Sequence, residues 1–288
     1  MEFSGKSVIV TGGGKGIGRA TVALLAARGA QVVALSRTQS DLDELSSQTG
    51  CHGIVADLAD AAAARAAMVE AGTCDILVNC AGTNVLESLI DMTDDGYDVV
   101  MNTNLRAALI CAQEFARARM AAGGGGAIVN VTSIAGHRGF QNHVCYAASK
   151  AGLEGATRVM AKELGPYGIR VVAIAPTITM TELAAAAWAD PQKSEPMMVR
   201  HPAGRFATVD DVARSIAMLL SSDAEMVSGA VLPVDGGSLP CEGSSRARFR
   251  RATSTSDAFP PGFPAGSSLC PYMTLCESGA NSEDRDDA

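Results

Sequence analysis

At 288 residues the chain is long enough for one large domain or two small ones, and its net charge of −8 argues against nucleic acid or an anionic membrane as a partner. Hydrophobic residues at 47% against aromatics at only 4% describe an interior of Ala, Val, Ile and Gly, suited to close helix-on-sheet packing. No uninterrupted apolar run approaches the ~20 residues of a membrane span, and the first six residues carry no secretory pattern.

Residues 7–11 form a short β-branched run, as expected of a buried parallel strand. Gly12-Gly13-Gly14-Lys15-Gly16-Ile17-Gly18 follows at once and leads into an apolar helix over 19–28. Strand, glycine turn and helix in that order make a dinucleotide-binding pattern. The glycines let the backbone turn tightly against a pyrophosphate, which then sits at the positive end of the helix. The spacing is TGxxxGxG rather than GxGxxG, with Gly12, Gly16, Ile17 and Gly18 as the predicted contacts.

A second strand over 31–35 ends in Ser36-Arg37-Thr38. Where an acidic residue would hold an adenosine ribose 2′-hydroxyl, no carboxylate occurs until Asp41. A carboxylate repels a 2′-phosphate, whereas Arg37 grips one bidentately, with Ser36 beside it and Lys15 adding a second positive charge. The predicted cofactor is NADP(H) rather than NAD(H).

A third strand over 52–56 closes on Asp57 and Leu58, placed to meet an adenine, and a helix is expected over 60–71. A fourth strand, 74–78, leads to Asn79-Cys80-Ala81-Gly82, with Asn79, Ala81 and Gly82 at the same edge. One long helix is predicted over 97–122, carrying Asn102 and Asn104. The fifth strand, 126–131, ends in Thr132-Ser133; a helix over 146–164 and a sixth strand over 170–175 follow. This alternation predicts an α/β doubly wound parallel sheet (a Rossmann fold) as a single domain over 1–241, with ligands at the carboxyl ends of the strands. Thr177, Ile178 and Thr179 continue that edge. They open a predicted substrate lid over 177–206, irregular with short helical pieces and holding the only tryptophan, Trp188. A helix capped by Thr208 and a last strand over 230–234 complete the domain. From 242 to 288 the composition turns to Ser, Pro, Gly and Ala without periodicity, and this tail is expected to be disordered. The eight cysteines show no CxxC or zinc spacing and are read as free thiols of a reducing cytoplasm, with no metal site.

Tyr146 and Lys150 stand four apart, one turn along the same helix face, so both can point into one cleft. A unit positive charge ~4 Å from a phenolate favours the charged form by roughly 4 kcal/mol at the dielectric near protein surfaces. That is about three pKa units on a phenol starting near ~10, which brings Tyr146 toward proton exchange near neutrality.

Jointly, Thr11-Gly12-xxx-Gly16-x-Gly18, Asn79-x-Ala81-Gly82, Asn104, Ser133 and Tyr146-xxx-Lys150 resemble the short-chain dehydrogenase/reductase family in order and spacing over residues 5–240. Cys80 and Thr177 depart from the family pattern, and neither is expected to touch the reacting groups. The resemblance implies that Tyr146 is the general acid/base and that Lys150 lowers its pKa and holds the nicotinamide ribose. It further implies that Ser133 hydrogen-bonds the carbonyl oxygen and that Asn104 holds a relay water near Lys150. Ser36-Arg37-Thr38-Gln39, Asn142-His143, Pro176-Thr177 and Trp188-x-Asp190-Pro191 are similar to stretches in the family members that reduce ketoses and α-dicarbonyls. That implies a small carbonyl or alcohol substrate lined by Ser133, His143, Tyr146 and Trp188. Ile134, directly after Ser133, replaces a polar residue of that group.

Two rival activities within the family are 3-oxoacyl carrier-protein reductase and sugar-alcohol dehydrogenase. The first is disfavoured because only Lys193 and Arg200 are basic over residues 180–200. A non-catalytic NADP(H)-binding regulator would be expected to have lost Ser133, Tyr146 or Lys150. Small-residue-rich helix faces near 99–122 and 149–164, together with the resemblance, imply a homotetramer or homodimer.

Overall fold

A computed structural model describes residues 2–239. β1 (Ser7–Thr11) feeds α1 (Gly16–Ala27), and the alternation runs on through β2 (Gln31–Ser36), α2 (Gln39–Thr49), β3 (His52–Val55), α3 (Ala61–Ala71) and β4 (Ile76–Asn79). Next come α4 (Asp94–Met101), a π-helical turn (Asn102–Arg106), α5 (Ala107–Ala121), β5 (Gly126–Val131), α6 (Val144–Leu164) and β6 (Ile169–Pro176). The remaining elements are β7 (Thr179–Met180), α7 (Glu182–Ala187), α8 (Pro191–Met198), β8 (Ala207–Thr208), α9 (Val209–Leu220) and β9 (Val231–Val234).

Seven strands form one parallel sheet in the order β3-β2-β1-β4-β5-β6-β9. The winding direction reverses between β1 and β4, and that reversal opens a crevice at the carboxyl edge. Continuous apolar strands are what a sheet covered on both faces requires. Val8 and Val10 pack toward α1 (Val22, Leu25) and α9 (Val212, Ile216), while Ile9 between them faces Cys111 and Phe115 of α5. Val8, Ile9 and Val10 are wholly buried, and burying each such side chain stabilises the fold by about 1.5–3 kcal/mol. β7 pairs with β8, which ties the start of the lid segment to its end.

The doubly wound sheet matches the expectation from sequence, with strand ends displaced by one or two residues. Two elements differ. α2 is not signalled by apolar spacing, because among its polar residues only Leu42 and Leu45 are buried. The single helix expected over 97–122 is divided by the π turn, in which Asn104 is buried. α9 begins with a full capping box: the Thr208 hydroxyl accepts from the Asp211 amide at 3.1 Å, and the Thr208 amide donates to the Asp211 carboxylate at 2.8 Å. No helix among the described residues is long and apolar enough to cross a membrane. The tail expected to be disordered over 242–288 lies outside the described residues.

Candidate active site

The glycine turn is shaped by close approach. Gly12 has φ +67°, and a Cβ there would lie 2.8 Å from the Ala81 Cα. A Cβ on Gly18 would meet the Gly12 carbonyl at 2.1 Å, and one on Gly14 would meet the Ser36 hydroxyl at 2.5 Å. Only bare backbone fits, and the turn lies flat against the ends of β2 and β4. The N-cap residue of α1, Lys15, makes no side-chain cap bond, and the first turn carries no acidic residue. By contrast α3, α4, α7, α8 and α9 are each capped by their own Asp or Thr side chain. The free amides and positive end of α1 therefore suit an anion such as a pyrophosphate. Ile17 contributes backbone here, since its side chain packs on the core.

Arg37 is exposed at the end of β2 and forms no ion pair among the described residues. Lys15, expected as a second free cation, instead sits 3.5 Å from the Asp41 carboxylate, brought to it by the unforeseen α2. Its charge is thus partly matched, which leaves Arg37 as the unpaired cation at the end of β2 among the described residues. Asp57 turns its carboxylate to the Ala59 amide at 3.0 Å, and Leu58 is buried in the core. The Leu58 side chain is therefore turned away from the edge where an adenine is expected, whereas Asp57 is exposed there.

Thr11, the strand end that opens the glycine motif, clasps two segments. Its hydroxyl accepts from the Cys80 amide at 3.0 Å and the Ala81 amide at 3.1 Å, fixing the loop after β4 against the glycine turn. Asn79 ends β4 at the expected edge, but its side chain turns inward. Its buried side chain donates to Asn130 at 2.9 Å and to the Ala108 carbonyl at 3.2 Å, so it cross-links the sheet to α5 rather than facing the crevice. Asn104 accepts from the Thr83 amide at 2.7 Å and donates to the Thr83 carbonyl at 2.9 Å and to Ser149 at 3.0 Å. A Cβ on Gly82 would lie 3.4 Å from both the Asn104 Oδ1 and the Lys150 Nζ, which shows how closely these groups gather. The π turn presents Asn104 inward, a geometry that recurs at functional sites.

Ser133 ends β5, and Tyr146 and Lys150 lie in the first two turns of α6. The Ser133 hydroxyl accepts from the Ala135 amide at 3.1 Å and lies near enough to Tyr146 to favour its ionised form. Lys150 is buried, donates to the Val131 carbonyl at 2.9 Å, and stands 5.7 Å from the centre of the Tyr146 ring. The expected effect of Lys150 on the phenol is reversed. Burial raises the Tyr146 pKa above its ordinary value, with Ser133 opposing, and burial pushes Lys150 down to about 8. Desolvation dominates at both groups, and the ammonium is turned toward a backbone carbonyl. Cys80, expected to stand apart, is near enough to bias both titrations, and burial keeps its thiol neutral with a pKa of about 12.

His143 immediately precedes α6; its ring lies 5.9 Å from Tyr146, edge to face, and its Nδ1 is 2.7 Å from the Gln141 carbonyl. It therefore lines the cleft beside the phenol. Trp188 ends α7 and packs on Phe206 at 5.7 Å, which packs edge-on against His201. Its indole thus belongs to the aromatic base of the lid. Thr177 turns its hydroxyl to the buried His201 at 2.6 Å, and Thr179 donates to the Thr177 carbonyl at 2.9 Å. The Ile178 carbonyl accepts from the Ala207 amide at 3.1 Å. The 177–179 segment is consequently held as one hinge at the crevice. Among the described residues no His/Cys/Asp/Glu group is arranged for a metal, and the five described cysteines are free thiols.

A family model described as Enoyl-(Acyl carrier protein) reductase matches residues 12–238. L-xylulose reductase from Bos taurus is 46% identical over 240 residues, covering 83% of this chain and 98% of that protein. The chain belongs to the short-chain dehydrogenase/reductase family. NADPH carbonyl reductase 2 from Sus scrofa is 39% identical over 240 residues, with 83% and 98% coverage. A solved structure from Agrobacterium tumefaciens, described provisionally as a 2-deoxy-D-gluconate 3-dehydrogenase with bound NADP, superposes with a TM-score of 0.77 at 35% identity, covering 83% of this chain and 98% of that one. The flat glycine turn and uncapped α1 of this short-chain dehydrogenase/reductase fit the nicotinamide dinucleotide on which its family's oxidoreductase chemistry depends.

Proposed function

We propose that this short-chain dehydrogenase/reductase uses NADPH to reduce a ketose or α-dicarbonyl to an alcohol. The observation that carries the reading is the convergence of Ser133, Tyr146 and Lys150 in one cleft where β5 meets α6. When bound, the dinucleotide supplies hydride to the carbonyl carbon. Tyr146, kept a neutral phenol by burial, carries the proton that the carbonyl oxygen takes up. Ser133, beside that phenol, donates to the same oxygen and steadies the alkoxide charge as it develops. Lys150 supplies positive charge beneath the phenol and a donor for a ribose hydroxyl, while Asn104 fixes the loop at Thr83 beside it. Arg37 favours the 2′-phosphate of NADP(H). A raised phenol pKa suits the reductive direction, because the acid must hold its proton until the hydride arrives.

His143 beside Tyr146 forms one wall for a small polar substrate. The identity to L-xylulose reductase supports a ketose or dicarbonyl. Exposed apolar residues on outward helix faces (Val99, Leu109, Val159) support a homotetramer, and free thiols suit a cytoplasmic setting. The decisive assay follows NADPH oxidation with xylulose, diacetyl, other ketoses and an acetoacetyl thioester. Turnover of the first three classes with little on the thioester is expected; a preference for the thioester refutes the reading.

A further inference from the structure

Glu154 is a carboxylate that the proposed reaction does not use, yet it is only 4% exposed. It lies on α6 one turn beyond Lys150, on the same side of the helix. Opposite it runs the tight turn that begins at Ser133, with the Gly136 amide donating to the Ser133 carbonyl at 2.9 Å and the His137 amide donating to the Ile134 carbonyl at 3.0 Å. The His137 Nε2 reaches the Glu154 Oε1 at 3.0 Å. That oxygen has no aligned hydrogen-bond donor among the described residues, so the contact is one of proximity. Gly136 closes the arrangement. A Cβ there would stand 3.0 Å from the Glu154 Oε1 and 3.2 Å from the Ala151 amide nitrogen, so a side chain would press the turn and α6 apart by a few tenths of an ångström.

We infer that Glu154 and His137 are positioning residues that brace the Ser133 turn against α6 and so fix the Ser133 hydroxyl relative to Tyr146. The activity readout rests on the proposed carbonyl reduction; the structural readout does not. The groups facing Glu154 are His137, the Thr132 hydroxyl and, more weakly, Arg158. Thr132 also donates to the Ile174 carbonyl at 2.9 Å, so its single proton cannot serve the carboxylate fully. Burial raises the Glu154 pKa above the usual carboxylate range. A folded pKa raised above the unfolded one gives stability that is full at low pH and lost as pH rises through the folded value. Ionisation of this carboxylate therefore weakens the fold. A residue kept only for stability would not be ionisable here, whereas one that holds a second element by charge would be.

The test uses full-length wild type, Glu154→Gln, His137→Ala and the double variant, with NADPH and diacetyl. His137 lies at the surface, so its truncation leaves folding intact even if Glu154→Gln does not fold. Each single variant is expected to lose at least fivefold in kcat with the NADPH KM within twofold, and the double variant to lose no more than the worse single. Glu154→Gln should melt no lower than wild type at pH 7, which a purely structural role would not give. Backbone amide exchange over residues 133–137 should accelerate in both single variants. Exchange at the wild-type rate, or kcat within twofold of wild type in His137→Ala, overturns the brace. If wild type failed to reduce any carbonyl, the proposed function would fall while the exchange measurement still decided this inference.

Discussion

Replacing Lys150 with methionine separates stability from chemistry at this site. Methionine is close in length and carries no charge, so it removes the buried ammonium while filling much of the same space. Burial pushes the Lys150 pKa from 10.5 to about 8, and at about 1.4 kcal/mol per unit the charged form costs roughly 3 kcal/mol of folding free energy at pH 7. The sign follows from proton binding. The unfolded lysine holds its proton up to 10.5 and the folded one only to about 8, so stability rises with pH between those values. Against this, methionine leaves the Val131 carbonyl without its 2.9 Å donor, a loss of about 1–3 kcal/mol. The net change at pH 7 is therefore small or favourable, and its pH dependence is the sharper observable. Between pH 7 and 9.5 wild type should gain about 2 kcal/mol relative to Lys150→Met. Urea titrations of both proteins at fixed concentration and several pH values read this directly, and carbonyl reduction should fall by at least a hundredfold throughout. A stability difference that is flat across that range would mean that Lys150 is not a strained buried cation, and the account of the site's electrostatics would be wrong.

Tyr146→Phe should abolish turnover while NADPH binding, followed by fluorescence, stays within a few-fold; a kcat comparable to wild type refutes the proton-donor role. NADPH should be preferred over NADH by at least tenfold in kcat/KM, about 1.4 kcal/mol, and Arg37→Asp should reverse the order. Equal wild-type kcat/KM for the two cofactors would contradict the reading of the end of β2. Light scattering at micromolar concentration should give four times the mass of one chain, or twice it for a dimer; a single-chain mass would show that the exposed apolar faces of α4, α5 and α6 have another purpose.

The parts of the site that are near one another in the chain are legible from sequence. Tyr146 and Lys150 share a helical turn, and the glycine cluster is flanked by its own strand and helix. What stays hidden depends on contacts between distant segments. The Thr11 clasp spans 69 and 70 residues to Cys80 and Ala81, and no local pattern marks a hydroxyl as the receiver of two amides. Lys15 meets Asp41 only because the largely polar α2 folds back at that point. The direction of the Tyr146 shift is hidden for a different reason. Spacing gives the neighbour's charge, but only the packed structure gives the burial that opposes it. Asn79 shows the reverse error, since a position at a strand's carboxyl end does not say whether a side chain turns to the crevice or into the sheet.

The π turn at Asn102–Arg106 has a consequence for the helices on either side of it. An α-helix advances about 100° per residue, and a π turn accommodates one residue beyond that repeat. α4 and α5 are therefore out of phase, and the outward stripe of one, with Tyr97 and Val99, is set independently of the other's, with Leu109. Removing a single residue from the turn takes out that extra one. It restores an unbroken α repeat with the outward faces of the two helices kept, and removes the widened turn that presents Asn104 inward.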